Sequence, residues 1–157
     1  MPLNQHRKAS QFATCNFRPH GEFEFWVHGS TFHVRAQGPF NREAIEAMAQ
    51  GMGALYNEIP AATPLVNLLE FTESLMIAPD ALQALEDLLR RFGQLGRAPV
   101  AVAFVVEADV EGRDLVWPFY HDVFLRQGRL VKLFDNAAEA QGWLDDELQI
   151  AMQCKYA

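Results

Sequence analysis

The sequence has little cysteine. Its two cysteines, Cys15 and Cys154, stand near opposite ends of the 157 residues, outside any CxxC pair and without histidines at zinc-site spacing. We therefore expect neither a disulfide framework nor a structural zinc site. Half of the residues are apolar, and a chain of this length buries enough surface to fold as one domain without such staples.

Long apolar runs and a targeting segment are missing as well. No window approaches the roughly 18 consecutive apolar residues of a membrane span. The first eight residues, MPLNQHRK, lack the apolar core of a signal peptide. These absences predict a cytoplasmic protein with no transmembrane segment.

Positive charge is scarce. The sequence has 13 Lys and Arg against 20 Asp and Glu, which gives a formal net charge of -7, and it has no long basic run. Affinity for nucleic acid comes largely from basic groups that displace condensed counterions. We therefore expect no nucleic-acid partner.

Motifs for catalysis and for cofactors are also absent. No serine or cysteine lies in a Gly-x-Ser-x-Gly turn or in another motif that would orient it towards a base. Neither glycine pair, at 51–53 or at 93–96, has the layout of a phosphate-binding loop, and the acidic residues of 107–114 lack the ligand pattern of an EF-hand. The conceivable metal ligands on neighbouring strands have no spacing that demands a metal: Glu22, Glu24, His28 and His33. The sequence thus predicts a protein that is not an enzyme and has no cofactor or bound metal.

A regular succession of strand and helix patterns is present. Residues 22–27 and 31–36 alternate apolar and polar side chains, and the Gly-containing turn between them predicts an antiparallel hairpin. Continuous apolar runs at 65–69 and 99–106 predict buried strands, and residues 130–134 a final strand. Helical spacing of apolar residues predicts four helices, which begin after Asn41, at Pro79, near Asp114 and after Asn136.

The order of these elements indicates the fold class. A hairpin followed by alternating helices and strands predicts an α/β fold, with a mostly parallel five-stranded sheet, an N-terminal antiparallel hairpin and four flanking helices. Residues 1–20, which are polar and without periodicity, are predicted to be an N-terminal arm. Residues 21–157 are predicted to form the domain.

Two segments resemble the STAS superfamily, and in particular its SpoIIAA-like branch, over about residues 20–148. They are the opening stretch Phe25-Trp26-Val27-His28-Gly29 through Gly38, and the closing stretch LFDNAAEAQGWL at 133–144. The resemblance implies a SpoIIAA-like fold, akin to Sec14-type lipid-transfer domains. It also implies a ligand-binding protein with possible peripheral membrane association.

One connector, at 115–125, is unusually apolar. Nine of its eleven residues, LVWPFYHDVFL, are apolar, aromatic or proline, so a helix here is apolar nearly all round. Its outer side could be a flap over a pocket, a homodimer interface, a membrane-facing surface, or simply buried. The main hypothesis is a cleft for a hydrophobic or lipid-like molecule, formed by Trp117, Phe119, Tyr120, Phe124, Met48 and Met52. Flexible thioethers suit such a site because they adapt to irregular shapes.

A second hypothesis is a regulatory protein-interaction module. In the anti-sigma-factor antagonists that the sequence resembles, a serine at a helix start is phosphorylated to control partner binding. The corresponding segment here, Ala78-Pro79-Asp80-Ala81, has no hydroxyl. Asp80 either supplies a fixed negative charge in place of a phosphate or is an ordinary acidic residue in the first turn of a helix. Thr72 and Ser74 are the remaining acceptors in this loop. The predicted partner-binding residues are therefore Thr72, Ser74 and Asp80.

Overall fold

Strands and helices alternate along the chain in the computed structural model, which describes residues 2–14 and 17–155. The strands are β1 (Arg7–Lys8), β2 (Glu22–His28), β3 (Thr31–Gln37), β4 (Val66–Thr72), β5 (Val102–Val106) and β6 (Val131–Phe134). The helices are α1 (Arg42–Tyr56), α2 (Pro79–Gln94), α3 (Arg113–Arg126) and α4 (Ala137–Cys154).

The six strands form one sheet in sequential order. The β1–β2 and β2–β3 pairs are antiparallel, and β3, β4, β5 and β6 are parallel to one another. The predicted α/β class with an opening hairpin and four helices is confirmed. The predicted number of five strands is wrong by one, because the segment expected to be an arm contributes β1.

Tertiary contacts hold β1 at the edge of the sheet. Arg7 pairs with Phe25 of β2 in the strand register, and its guanidinium forms a two-pronged ion pair with Glu58, with Nη2 2.8 Å from Oε2. Its side chain is 6% exposed. Two residues are too short for a periodicity to show, so the sequence pattern could not reveal this strand.

The two faces of the sheet are covered differently. Helices α1, α2 and α3 pack on one face and enclose the larger core around Phe25, Phe32 and Phe104. Helix α4 lies on the other face, where Ala140 and Leu144 pack over β4 and β5. The hairpin β2–β3 projects beyond α4, so its second face carries polar and aromatic side chains.

Asparagines begin two of the helices. The Oδ1 atom of Asn41 accepts a hydrogen bond from the N–H of Ala44, and that of Asn136 accepts one from the N–H of Glu139. These are the N-cap contacts that the two sequence patterns predict. Asn41 also accepts a hydrogen bond from the N–H of His20 and donates to the carbonyl of Arg18, which ties the segment before β2 to α1.

Helix α1 approaches the sheet closely at Gly51. A Cβ atom placed on Gly51 would lie 2.4 Å from Cζ of Phe25, whose ring is fully enclosed. A Cβ atom on Gly53, two residues further on, would meet nothing within 4 Å. The two glycines therefore have different physical roles in the same helix.

We expect Gly51→Ala and Gly53→Ala to change stability in opposite directions. Overpacking at position 51 costs about 1 to 3 kcal/mol, which outweighs the roughly 1 kcal/mol that alanine gains over glycine in a helix. At position 53 only the gain applies. Urea denaturation of both variants measures the two changes, and a stabilising Gly51→Ala would contradict the close approach.

Candidate ligand-binding cavity

An enclosed cavity lies between the sheet and helices α1, α2 and α3. Its volume is about 50 Å³. Its wall comes from four strands and three helices: Phe23, Val34, Asn67, Leu69, Phe71, Phe104, Ile45, Met48, Met52, Leu85, Leu88, Leu89, Tyr120 and Phe124. Pockets that hold drug-sized ligands are typically about 300 to 1,000 Å³, so this cavity is too small for such a ligand as it stands.

Four of the six predicted ligand-binding residues meet at this cavity. Met48 and Met52 of α1 line one side, and Tyr120 and Phe124 of α3 line another. Trp117 is half-buried and makes an edge contact with the ring of Phe104, 5.0 Å between centroids, so it lies behind the wall. Phe119 lies on the outer side of α3 and is 56% exposed.

A hydrogen bond from Tyr120 links the middle of α3 to the loop after β4. The Tyr120 hydroxyl donates a hydrogen bond to the carbonyl oxygen of Leu75 at 3.1 Å. Burial raises the pKa of Tyr120 well above its ordinary value, so the phenol stays neutral. Its ring contacts Phe71 and Phe104 edge-on, which fixes one end of the cavity.

The outer face of α3 is apolar and open to solvent. Leu115, Phe119 and Leu125 are each more than half exposed. Glycines with left-handed backbone conformations stand at both ends of the helix, Gly112 with φ 76° and Gly128 with φ 69°. An ion pair from Arg126 to Glu86, 3.0 Å from Nε to Oε2, ties α3 to α2 across the surface.

One end of the cavity is polar. Asn67 is the wall residue with an amide side chain, it is 8% exposed, and its Oδ1 atom has no hydrogen-bond partner among the described residues. Burial raises the pKa of Tyr56 to about 12, and a hydrogen bond from Asn67 together with the nearby positive charges of Arg129 and Arg97 opposes that rise. The amide thus lies beside the Tyr56 hydroxyl.

Arg129 is a buried cation next to the cavity wall: its backbone N–H donates a hydrogen bond to the carbonyl of the wall residue Phe124, although its own side chain is not part of the wall. It is 7% exposed and forms no ion pair within the described part of the chain. Its Nη1 and Nη2 atoms donate to the carbonyls of Gln127 and Leu89, while its buried Nε has no partner there. Gly93 leaves room for the guanidinium, since a Cβ atom there would lie 3.3 Å from Nη2.

Sequence reasoning did not find Asn67, Tyr56 or Arg129. The one signal for Asn67 was its position as the polar residue within the apolar run 65–69. Tyr56 belongs to the helical apolar pattern that follows Asn41, and no pattern surrounds Arg129. Their proximity follows only from the packing of α1 and α2 on β4.

We expect the stability effects of Tyr56 and Asn67 to be coupled. Tyr56→Phe should cost about 1 kcal/mol in the wild-type background, because it removes the hydroxyl that interacts with the Asn67 amide. In an Asn67→Leu background the same change should cost almost nothing. Urea denaturation of the four proteins gives the coupling energy.

Tyr120→Phe serves as the matched control. Its hydroxyl bonds to a backbone carbonyl, so its cost should be equal in the wild-type and Asn67→Leu backgrounds. Independent effects of Tyr56 and Asn67 would contradict the contact between them.

The three predicted partner-binding residues differ in their exposure to solvent. Thr72, at the end of β4, and Asp80, in the first turn of α2, are exposed. Ser74 is 2% exposed, and its Oγ accepts a hydrogen bond from the N–H of Met76. In this structure Ser74 is therefore enclosed and does not face a partner.

The uncovered face of the hairpin carries a stack of rings. Trp26 lies between His6, at 3.8 Å, and His33, at 5.0 Å between ring centroids, with the guanidinium of Arg35 over the indole. His6 also contacts Glu24, the cross-strand partner of Arg35. In the described part of the chain, no group of three or more His, Cys, Asp or Glu side chains is arranged to hold a metal ion.

His33 gives this face a pH dependence. Burial lowers the pKa of His33, and the nearby His28, Arg35 and His6 lower it further. The unfolded state therefore binds more protons than the folded state below about pH 6.5, so stability falls as the pH drops through this range. We expect His33→Gln to lose less unfolding free energy than wild type between about pH 7.5 and 5.5, as measured by urea denaturation.

A higher pH range provides the control for His33. Between about pH 7.5 and 9 the His33 side chain is neutral in both states, so variant and wild type should change in parallel. An unchanged acid dependence in His33→Gln would contradict the assignment.

Comparisons with known proteins identify the fold. No protein-family model matches the chain, and no curated protein matches it. Among solved structures, it is similar to an uncharacterized protein of the DUF3478 family from Shewanella loihica PV-4, which has a SpoIIAA-like fold. The TM-score is 0.52 at 15% identity, and the match covers 83% of this chain and 98% of the other. The chain therefore has the SpoIIAA-like, STAS-type fold that the sequence resemblance implies.

None of the described helices is both long enough and apolar enough to cross a membrane.

Proposed function

We propose that this protein is a non-enzymatic binding protein that takes up a hydrophobic, lipid-like small molecule between its sheet and helices α1, α2 and α3. The observation that carries the proposal is the cavity at that place: its wall is apolar apart from the Tyr120 hydroxyl, which bonds to Leu75, and the Asn67 amide, whose Oδ1 has no partner among the described residues. A buried polar atom without a partner in a largely apolar wall requires an explanation. A bound amphiphile supplies one.

The cavity must widen to accept such a molecule. At about 50 Å³ it is smaller than the roughly 150 Å³ engineered cavity that binds benzene. Outward movement of α3 would have to break the hydrogen bond of Tyr120 to Leu75 and the ion pair of Arg126 with Glu86. Glycines flank this helix, and its outer face has no covering element among the described residues. Met48 and Met52 on the opposite side adjust their shape at little cost.

The outer face of α3 also supports contact with a membrane as part of this proposal. Leu115, Phe119 and Leu125 project from the element that would open, so the ligand has an apolar route from a lipid surface to the cavity. Contact of this kind is peripheral and needs no spanning helix.

Tryptophan fluorescence and native mass spectrometry test the binding function. A variant with Trp26→Phe and Trp143→Phe retains Trp117, whose ring contacts the cavity residue Phe104. We expect its emission to shift on titration with dodecanoic acid or 1-dodecanol, and native mass spectra to show one added ligand. No shift and no adduct across chains of 8 to 16 carbons would rule out the proposal.

A cavity-filling substitution tests whether the ligand binds in this cavity and not elsewhere in the core. Val34→Ile adds one methylene group to the wall, which should raise the unfolding free energy by about 0.5 to 1 kcal/mol. It should also weaken ligand binding about tenfold. Thermal denaturation and the fluorescence titration measure the two effects.

Val27→Ile is the matched control for this change. Val27 is a buried valine of the same hairpin that does not line the cavity. Its substitution should leave ligand affinity unchanged, and equal losses in both variants would place the ligand elsewhere.

A regulatory protein-interaction role has narrower support. Thr72 and Asp80 are accessible, but the hydroxyl of Ser74 is enclosed and engaged with the backbone. A pull-down that retains a kinase-like or sigma-related partner, and loses it on Asp80→Arg, would favour this role.

A further inference from the structure

We infer that the ligand of this cavity ends in a carboxylate, which is held at the polar end by Asn67 and Arg129. The inference rests on the proposed binding function and narrows its ligand to hydrophobic monocarboxylic acids. It depends on three features of the described residues: a buried cation without an anion, a buried amide with an unpartnered atom, and the position of both beside an apolar cavity.

The first feature is the uncompensated charge of Arg129. A buried charge is costly unless it is paired, and arginine remains protonated in proteins. Arg129 donates to two backbone carbonyls, and among the described residues it has no carboxylate partner and its Nε–H has no acceptor. A guanidinium in this situation favours an anionic acceptor over a neutral one.

The second feature is the amide of Asn67. Its Oδ1 atom is unpartnered in the cavity wall, while the amide lies beside the Tyr56 hydroxyl. Rotation of the amide by half a turn exchanges its oxygen and nitrogen. The oxygen would then accept from Tyr56, and the amide N–H would face a carboxylate in the cavity. With a carboxylate bound, both polar atoms of the amide have partners.

The third feature is the position of the two cations relative to the wall. The guanidinium of Arg97 lies over the ring of Tyr56, 5.7 Å from its centroid, and Arg129 donates a hydrogen bond to the carbonyl of the wall residue Leu89. The wall at the end away from Asn67 is formed by Phe23, Phe71 and Tyr120, and the Tyr120 hydroxyl already bonds to Leu75. Asn67 and Phe71 are four residues apart on β4, about 13 Å along an extended strand. The carboxylate therefore lies beside Asn67 and the alkyl chain extends towards Phe71.

A ligand with a hydroxyl head fits the same cavity less completely. A hydroxyl can donate to Oδ1 of Asn67, but it leaves the charge of Arg129 without a counterion. This difference predicts a preference between two ligands with the same chain. A comparison of the two ligands therefore tests the polar subsite separately from the apolar cavity.

The test compares dodecanoic acid with 1-dodecanol at about pH 8, where the acid is ionised, using isothermal titration calorimetry. Wild type should bind the acid at least tenfold more tightly than the alcohol. Arg129→Met and Asn67→Leu should each weaken acid binding at least tenfold and change alcohol binding less than threefold. Arg90→Met, which removes an exposed arginine of α2, should leave both affinities unchanged.

The outcomes separate the two proposals. If wild type binds both ligands equally, or if both variants keep the preference for the acid, the carboxylate subsite is wrong and the binding function stands. If wild type binds neither ligand, the binding function fails with it. Circular dichroism checks folding, and if Arg129→Met does not fold, Asn67→Leu, which removes no charge, decides the result.

Discussion

The packing of aromatic rings around Phe104 is the constraint on which the rest of the structure depends. Phe104 lies in the middle of β5, is fully enclosed, and contacts the rings of Phe71, Trp117, Tyr120 and Phe124 at 5.0 to 5.5 Å between centroids. Three of these four rings belong to α3, so one strand residue sets the distance of that helix from the sheet. Planar rings that meet edge-on leave gaps that neighbouring aliphatic side chains fill only in part. The cavity beside Phe104 is such a gap, which explains why it lies between α3 and the methionines of α1.

Local patterns predicted the elements well where each element buries a continuous face. Strands β2 and β3 are buried more completely on one face than on the other, so their side chains alternate. Strand β5 is covered on both faces, so its residues are apolar throughout, and both patterns can be recognised in the sequence. β1 escaped prediction because its position depends on the ion pair of Arg7 with Glu58, a contact across 51 residues of chain. For α3 the sequence indicated an apolar surface on every side, but it could not indicate which side meets solvent. The structure assigns Leu115, Phe119 and Leu125 to that side.

The candidate site was predictable in its apolar half and not in its polar half. Met48 and Met52 share a helix face by their four-residue spacing, as do Tyr120 and Phe124, so each pair follows from helix geometry. Asn67, Tyr56 and Arg129 have ordinary sequence contexts. What marks the site is that Oδ1 of Asn67 and Nε of Arg129 are buried without a partner among the described residues. Whether a buried polar atom has a hydrogen-bond partner depends on elements that are distant in the sequence, so a short stretch of sequence cannot show it. The enclosure of Ser74 is of the same kind, because it follows from the backbone that folds over the loop.

The polar end also affects how binding energy and stability are related. A core that served only folding would gain stability with leucine at position 67, since an unpartnered buried amide atom costs about 1 to 3 kcal/mol. Arg129 adds the desolvation of a charge that no carboxylate of the described chain offsets. A ligand of the proposed kind, whose carboxylate bonds to both groups, would remove these unfavourable free energies on binding. Its alkyl chain would contribute little binding free energy until the helices move apart. In a cavity of about 50 Å³, affinity then depends on the head group as well as on chain length. The selectivity of the proposed site and the unfavourable burial of the Asn67 amide and the Arg129 guanidinium therefore have the same physical origin.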